Sequence, residues 1–204
     1  MIAIVDYGMG NLGSIRNMLK KIGADSIVTA DHDLVRAADK IILPGVGSFD
    51  AGMDNLHRTG LQPVLRERVI DSGVPILGIC LGMQLMTKRS DEGSLPGLGW
   101  VDAETVRFSP PVETGLKVPH MGWNVVRGVK ESPLLTGAEK EERFYFVHSY
   151  YVRCNNDQDV LLVAEYGHPF TAAFACRNII GVQFHPEKSH KFGMRLLRNF
   201  AEAV

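Results

Sequence analysis

The stretch Val74-Pro75-Ile76-Leu77-Gly78-Ile79-Cys80-Leu81-Gly82-Met83-Gln84-Leu85-Met86 decides how this chain folds. Up to Ile79 it is an apolar run that reads as a buried strand, and from Leu81 it reads as the start of a helix. A cysteine stands at the turn, with glycine two residues before it and two after. This is the nucleophile-elbow pattern with sulfur in place of oxygen. The glycines let the helix pass close to neighbouring strands with no side chain in the way. The turn thrusts the thiol out of the backbone, and a helix N-terminus behind it favours the thiolate. A small core hydrophobe, the commoner fate of a lone cysteine, needs none of these devices.

Working outward, the first half alternates strand and helix patterns. Residues 2–5, 26–29, 41–43 and 76–79 read as short apolar strands, the third ending at Pro44-Gly45. Residues 11–22 and 61–70 read as helices, with Ile15, Met18, Leu19 and Ile22 on one face of the first. Uniformly apolar strands separated by amphipathic helices imply a parallel sheet covered on both faces. The second half reads as strands at 101–108, 123–126, 144–147, 160–165, 171–175 and 179–184, and a helix at 189–203 follows them. The expected fold class is α/β, an open mostly parallel sheet with helices on both faces and antiparallel additions in the second half. No linker or repeat divides the chain, so residues 1–204 are expected to form one domain.

Composition narrows the function. The 204 residues are 45% hydrophobic and 22% charged, the balance of a soluble globular protein. A net charge of −1 gives no electrostatic footprint for nucleic acid or an anionic membrane. No apolar run approaches the roughly 20 residues of a membrane span, and the start lacks the pattern of a signal peptide. Three cysteines, Cys80, Cys154 and Cys176, imply free thiols in a reducing cytoplasm. Cys154-Asn155-Asn156-Asp157 lacks metal-ligand spacing, and no Gly-Lys-Ser/Thr ending marks a phosphate loop. No metal and no cofactor are expected.

The chemistry-bearing residues converge on Cys80. His185 follows the last strand, at the end where open parallel sheets place their ligands. It can deprotonate a thiol and then protonate a leaving amine. Glu187 lies two residues on, and Pro186 holds His185 extended. The carboxylate is thereby placed to hold the imidazole by its other nitrogen, the third role of a triad. Alone, His185 would pass for a capping histidine and Glu187 for a solvated acid at a helix start. Pro44-Gly45-Val46-Gly47-Ser48-Phe49 is a glycine-rich turn after a strand; beside Cys80 it is a candidate oxyanion hole. The N–H donors would come from Gly45, Val46 or Gly47 and from Leu81.

These three motifs together resemble the class I (triad) glutamine amidotransferases. Asp6 through Ser14, Pro44 through Phe49 and Pro119-His120-Met121-Gly122-Trp123-Asn124 look, within that group, like the glutaminase subunits of imidazole glycerol phosphate synthase. The resemblance implies hydrolysis of glutamine to glutamate and ammonia. It also implies passage of the ammonia to a (β/α)8-barrel cyclase subunit, in a heterodimer of histidine biosynthesis. It assigns glutamine binding to Gly47, Gln84, Glu92 and the backbone of His148, Ser149 and Tyr150. Read without it, Gln84 is as readily a helix-surface residue, Glu92 a turn carboxylate and His148 a core histidine. Pro119, Met121 and Trp123 read as a partner contact, since Trp and Met are favoured at interface centres, or else as a strand with a core tryptophan. Asn11 and Lys188 join that interface by resemblance, although Lys188 is otherwise a solvated charge. Two alternatives stand beside this reading: a glutaminase of another pathway, such as anthranilate or guanylate synthesis, and a catalytically silent binding module.

Overall fold

Four strands from the first half lie parallel: β1 (Ile2–Val5), β2 (Ser26–Thr29), β3 (Lys40–Gly45) and β4 (Ile76–Cys80), in the order β2-β1-β3-β4. The computed structural model describes residues 1–139 and 141–204. Side chains alternate across a strand, and here both sides are apolar. Ile2, Ile4, Ile42, Leu77 and Ile79 enter one core, while Ala3, Val5, Ile41, Leu43 and Ile76 enter another. Each face therefore needs its own cover.

The helices are α1 (Leu12–Lys21), α2 (His32–Ala37), α3 (Phe49–Arg58), α4 (Leu61–Arg66), α5 (Leu81–Leu85) and α6 (His190–Ala203). α4 runs on through a π turn at Glu67–Asp71. α1 and α6 close the first core with Ile15, Leu19, Leu196, Leu197 and Phe200. α2 to α5 close the second with Val35, Phe49, Met53, Leu56, Leu65 and Leu85 among others. Among the described residues no helix is long and apolar enough to cross a membrane.

The second half supplies β5 (Ala103–Arg107), β6 (His120–Gly128), β7 (Glu142–His148), β8 (Tyr150–Cys154), β9 (Val160–Glu165), β10 (Pro169–Cys176) and β11 (Ile179–Val182). The last strand, β11, returns beside β4 in parallel register, with Gly181 opposite Gly78 and Val182 opposite Ile79. On its other edge β10 pairs antiparallel, and β9, β6 and β7 follow outward. β8 branches from β10 and carries β5. The α/β class with a parallel first half and antiparallel second half is thus the observed architecture.

Three elements depart from the sequence reading. α2 is short, and Asp31 starts it by accepting from the Asp33 and Leu34 amides. α3 begins at Phe49, where the glycine-rich turn was read without a helix after it. β8 went unread: Tyr150, Tyr151 and Val152 favour a strand, but only Val152 is fully buried, and no alternation of apolar and polar residues marks it. The core-tryptophan alternative for residue 123 is corrected: Trp123 is 47% exposed.

Candidate active site

The elbow is built as its glycines require. Cys80 ends β4 with φ 54° and ψ −109°, in the left-handed region that L residues rarely adopt. α5 starts at the next residue, so the amides of its first turn have no intrahelical partners. A Cβ built on Gly82 would stand 1.8 Å from the Leu43 carbonyl oxygen of β3; one on Gly78 would stand 2.8 Å from the Met83 amide nitrogen. Only glycine lets this helix leave the strand so close to β3.

Pairing of β11 with β4 brings a segment about a hundred residues away to the same sheet edge. His185 is fixed there by its backbone: its N–H donates to the Tyr145 carbonyl at 2.9 Å, and Ser189 Oγ donates to its carbonyl at 2.6 Å. Its side chain is 2% exposed, and Nδ1 lies 2.8 Å from Glu187 Oε1, on a carboxylate side chain 1% exposed. That corrects the alternative of Glu187 as a solvated acid. His185 Nε2 has no hydrogen-bond partner among the described residues. Burial by itself would lower the imidazole's pKa. The neighbouring Cys80 and Glu187 outweigh it and lift the value to about 9.

A pH dependence of stability follows. The folded pKa exceeds the ordinary 6.5, so the imidazolium's contribution is complete below that value and is lost as pH rises through about 9. Urea unfolding midpoints should therefore fall across this window. Cys80→Ala removes a raising influence, and the fall should flatten in that variant; an equal fall in both proteins would contradict the coupling.

Cys80 and His185 share a cavity of about 340 Å³, a volume typical of small-ligand sites. Val46, Gly47 and Leu81 line it, as do Gln84 and Glu92. The opposite wall is the β7–β8 corner, His148, Ser149 and Tyr150. Gly45 does not line it: it is the last residue of β3, paired with Cys80. Gly47 has φ +122°, so the loop following Gly45 depends on glycine. Gln84 is buried rather than on the surface, and Glu92 accepts from the Phe49 amide at the start of α3 at 2.8 Å. His148 is a satisfied core histidine, with Nδ1 donating to the Tyr150 carbonyl at 2.7 Å. Burial holds its pKa down near 3.

The five partner-contact candidates are all exposed. Pro119 also lines the cavity. Trp123 stacks on His190 at 5.5 Å and meets the Tyr145 ring edge-on, while the Lys188 ammonium lies 5.6 Å from the centre of that ring. Met121, 62% exposed, is on the same strand. Asn11 lies just before α1.

Two residues at the site escaped the sequence reading. Gln183 is fully buried and its Nε2 lies 3.7 Å from Cys80 Sγ. The available signal was a glutamine inside the apolar run of β11 and its continuation. Tyr7, just past β1, has a buried hydroxyl without a partner among the described residues. Burial and the nearby Cys80 push its pKa far above the usual phenol range.

A parallel sheet with a thiol on an elbow, an imidazole across the adjacent strand end and a buried carboxylate behind it is an amidohydrolase arrangement, and the chain belongs to the class-I glutamine amidotransferase family, whose match spans residues 3–204. Among its relatives is imidazole glycerol phosphate synthase subunit HisH 2 of Methanococcus maripaludis, 54% identical over 200 residues and 98% of either chain. The protein of the same name from Pseudomonas aeruginosa is 51% identical over the full length of both. Solved structures share the fold at low identity. A glutamine amidotransferase crystal structure superposes with TM-score 0.76 at 19% identity, covering 99% of this chain and 98% of the other. The PurLQS structure from Thermotoga maritima gives TM-score 0.73 at 18% identity, covering 98% and 96%.

Proposed function

We propose that this chain is the glutaminase subunit of an imidazole glycerol phosphate synthase, acting in histidine biosynthesis through Cys80, His185 and Glu187. The observation that carries the reading is the buried His185, held by Glu187 at 2.8 Å on one nitrogen and free on the other beside Cys80. The thiolate attacks the side-chain amide carbon of glutamine. A backbone amide of the Val46–Gly47 turn and that of Leu81 hold the developing oxyanion. The protonated His185 gives its proton to the departing nitrogen, and ammonia leaves a glutamyl thioester. Water then attacks the thioester as His185 takes its proton; the carbon–sulfur bond breaks and glutamate departs. Gln84, Glu92 and the His148–Tyr150 backbone orient the amino-acid end.

The ammonia passes to a (β/α)8-barrel cyclase subunit in a heterodimer. The exposed Trp123, Met121 and Lys188, with Pro119 at the cavity mouth and Asn11, are the proposed contact surface. Large exposed apolar side chains there suit a partner's cover. Relatives named as this subunit at 45–54% identity over essentially the whole chain favour this pathway over anthranilate or guanylate synthesis. Three free thiols suit a cytoplasmic setting.

The test has two parts. An electrophilic glutamine analogue should add its mass to Cys80 alone. Burial raises the thiol pKa of Cys154 to about 12 and that of Cys176 as well, so neither competes as a thiolate. Glutamate release by the isolated chain should be slow and should rise on adding a barrel cyclase with its ligand. Labelling at Cys154 or Cys176 with Cys80 untouched would defeat the site, and fast partner-independent release would defeat the pathway.

A further inference from the structure

Two buried amide side chains separate the β7–β8 corner from the nucleophile, and their orientation is settled by one backbone atom. The Tyr150 carbonyl oxygen only accepts hydrogen bonds. It receives His148 Nδ1 at 2.7 Å and Gln84 Nε2 at 3.2 Å. His148 Nε2 is thus left to accept from His120 Nδ1 at 2.9 Å, which fits two buried neutral imidazoles. Because the amino group of Gln84 faces Tyr150, it also donates to Gln183 Oε1 at 3.0 Å. With its oxygen committed to Gln84, Gln183 must present its amino group to Cys80 Sγ, 3.7 Å away. Turned the other way, Gln183 would set a carbonyl oxygen against the sulfur and an amino group against another amino group.

We propose that Gln183 is a further catalytic residue, whose amide N–H donates to the Cys80 sulfur and holds it in the thiolate form. This rests on Cys80 being the nucleophile, as argued above. A hydrogen bond to the charged form of a group favours that form, and the sulfur carries negative charge twice in the cycle: before attack, and again when the carbon–sulfur bond of the thioester breaks and its electron pair returns to sulfur. Gln183 is fully buried, so water does not compete for the bond. The other ionisable groups toward the sulfur are His185 beyond β11 and Tyr7 beyond β1, with neutral His148 behind His185 and Glu92 across the cavity. Among the side chains of the described residues, Gln183 is the donor to the sulfur that does not itself titrate.

The full chain tests this through the pH profile of Cys80 alkylation by iodoacetamide, with glutamine absent. In Gln183→Met, which keeps the volume and buries no charge, the midpoint should rise by about one pH unit, and the rate at pH values below both midpoints should fall about tenfold. Gln183→Glu sets an oxygen against the sulfur and should shift it further. Gln84→Met leaves position 183 untouched but frees its amide to turn, and should raise the midpoint by a smaller amount. It also serves where a substitution at position 183 perturbs folding. Unshifted midpoints in all three variants overturn the proposal, even if glutamine turnover is lowered. Failure of the electrophilic glutamine analogue to add to Cys80 in the unaltered protein overturns instead the reading on which it rests.

Discussion

Replacing Cys80 by alanine should lower glutamate release by roughly 10⁴-fold or more while leaving the fold intact. Nucleophile losses in hydrolases of triad type reach this size because no other group can form the covalent intermediate. Alanine at this position inherits the same φ of 54° that cysteine already tolerates, so backbone strain does not change. The side chain is small, and what is lost is the sulfur. The double variant Cys80→Ala with His185→Ala should be about as slow as Cys80→Ala alone, since a base without its nucleophile contributes little. Glutamate formation followed by a coupled assay decides the matter. Retention of about a tenth of the original rate would remove Cys80 from the proposed mechanism.

Gly82→Ala should be among the most damaging small substitutions in the fold, costing about 3 kcal/mol or more. The added methyl would sit 1.8 Å from the Leu43 carbonyl oxygen, which is strand backbone and cannot swing aside. For a chain of this length the melting temperature should fall by about 6–12 °C. Gly13→Ala is the control. Gly13 lies in α1 with nothing within 4 Å of an added Cβ, and alanine there should stabilise the protein by about 0.5 kcal/mol through helix propensity. Thermal unfolding of the two variants side by side tests the close approach; equal melting temperatures would refute it.

The parallel half was legible because its information is local. Short apolar runs such as Ile41-Ile42-Leu43 and an elbow framed by Gly78 and Gly82 carry their structure in a few adjacent residues. β1 and β2 even match the expected ends, at Ile2–Val5 and Ser26–Thr29. β8 was illegible for the opposite reason: Tyr150 and Arg153 are stabilised by neighbours β5 and β10 rather than by an apolar pattern of their own. α3 was hidden because it starts directly out of a glycine-rich turn and the side chain that accepts from its first amide, Glu92, lies 43 residues away.

The same distinction divides the site. Cys80 and His185 announce themselves through motif spacing, and Glu187 through its place after Pro186. Gln183 does not, because its role depends on Gln84, 99 residues distant, and on the Tyr150 carbonyl. A polar residue within an apolar run signals only that some buried partner exists. Which partner it is belongs to the sheet order, and that is fixed by long-range pairing.

The insertion of β11 between β4 and β10 has a consequence for biosynthesis on the ribosome. The thiol emerges early, but the imidazole, its carboxylate and the amide at 183 emerge more than a hundred residues later and take their places only when the final strand slots into a gap between two others. Until then the nascent polypeptide carries an ordinary cysteine with no means of activation. On the proposed mechanism activation waits for completion of the polypeptide, so an incompletely translated chain keeps a thiol of ordinary reactivity and has no site for turning over glutamine.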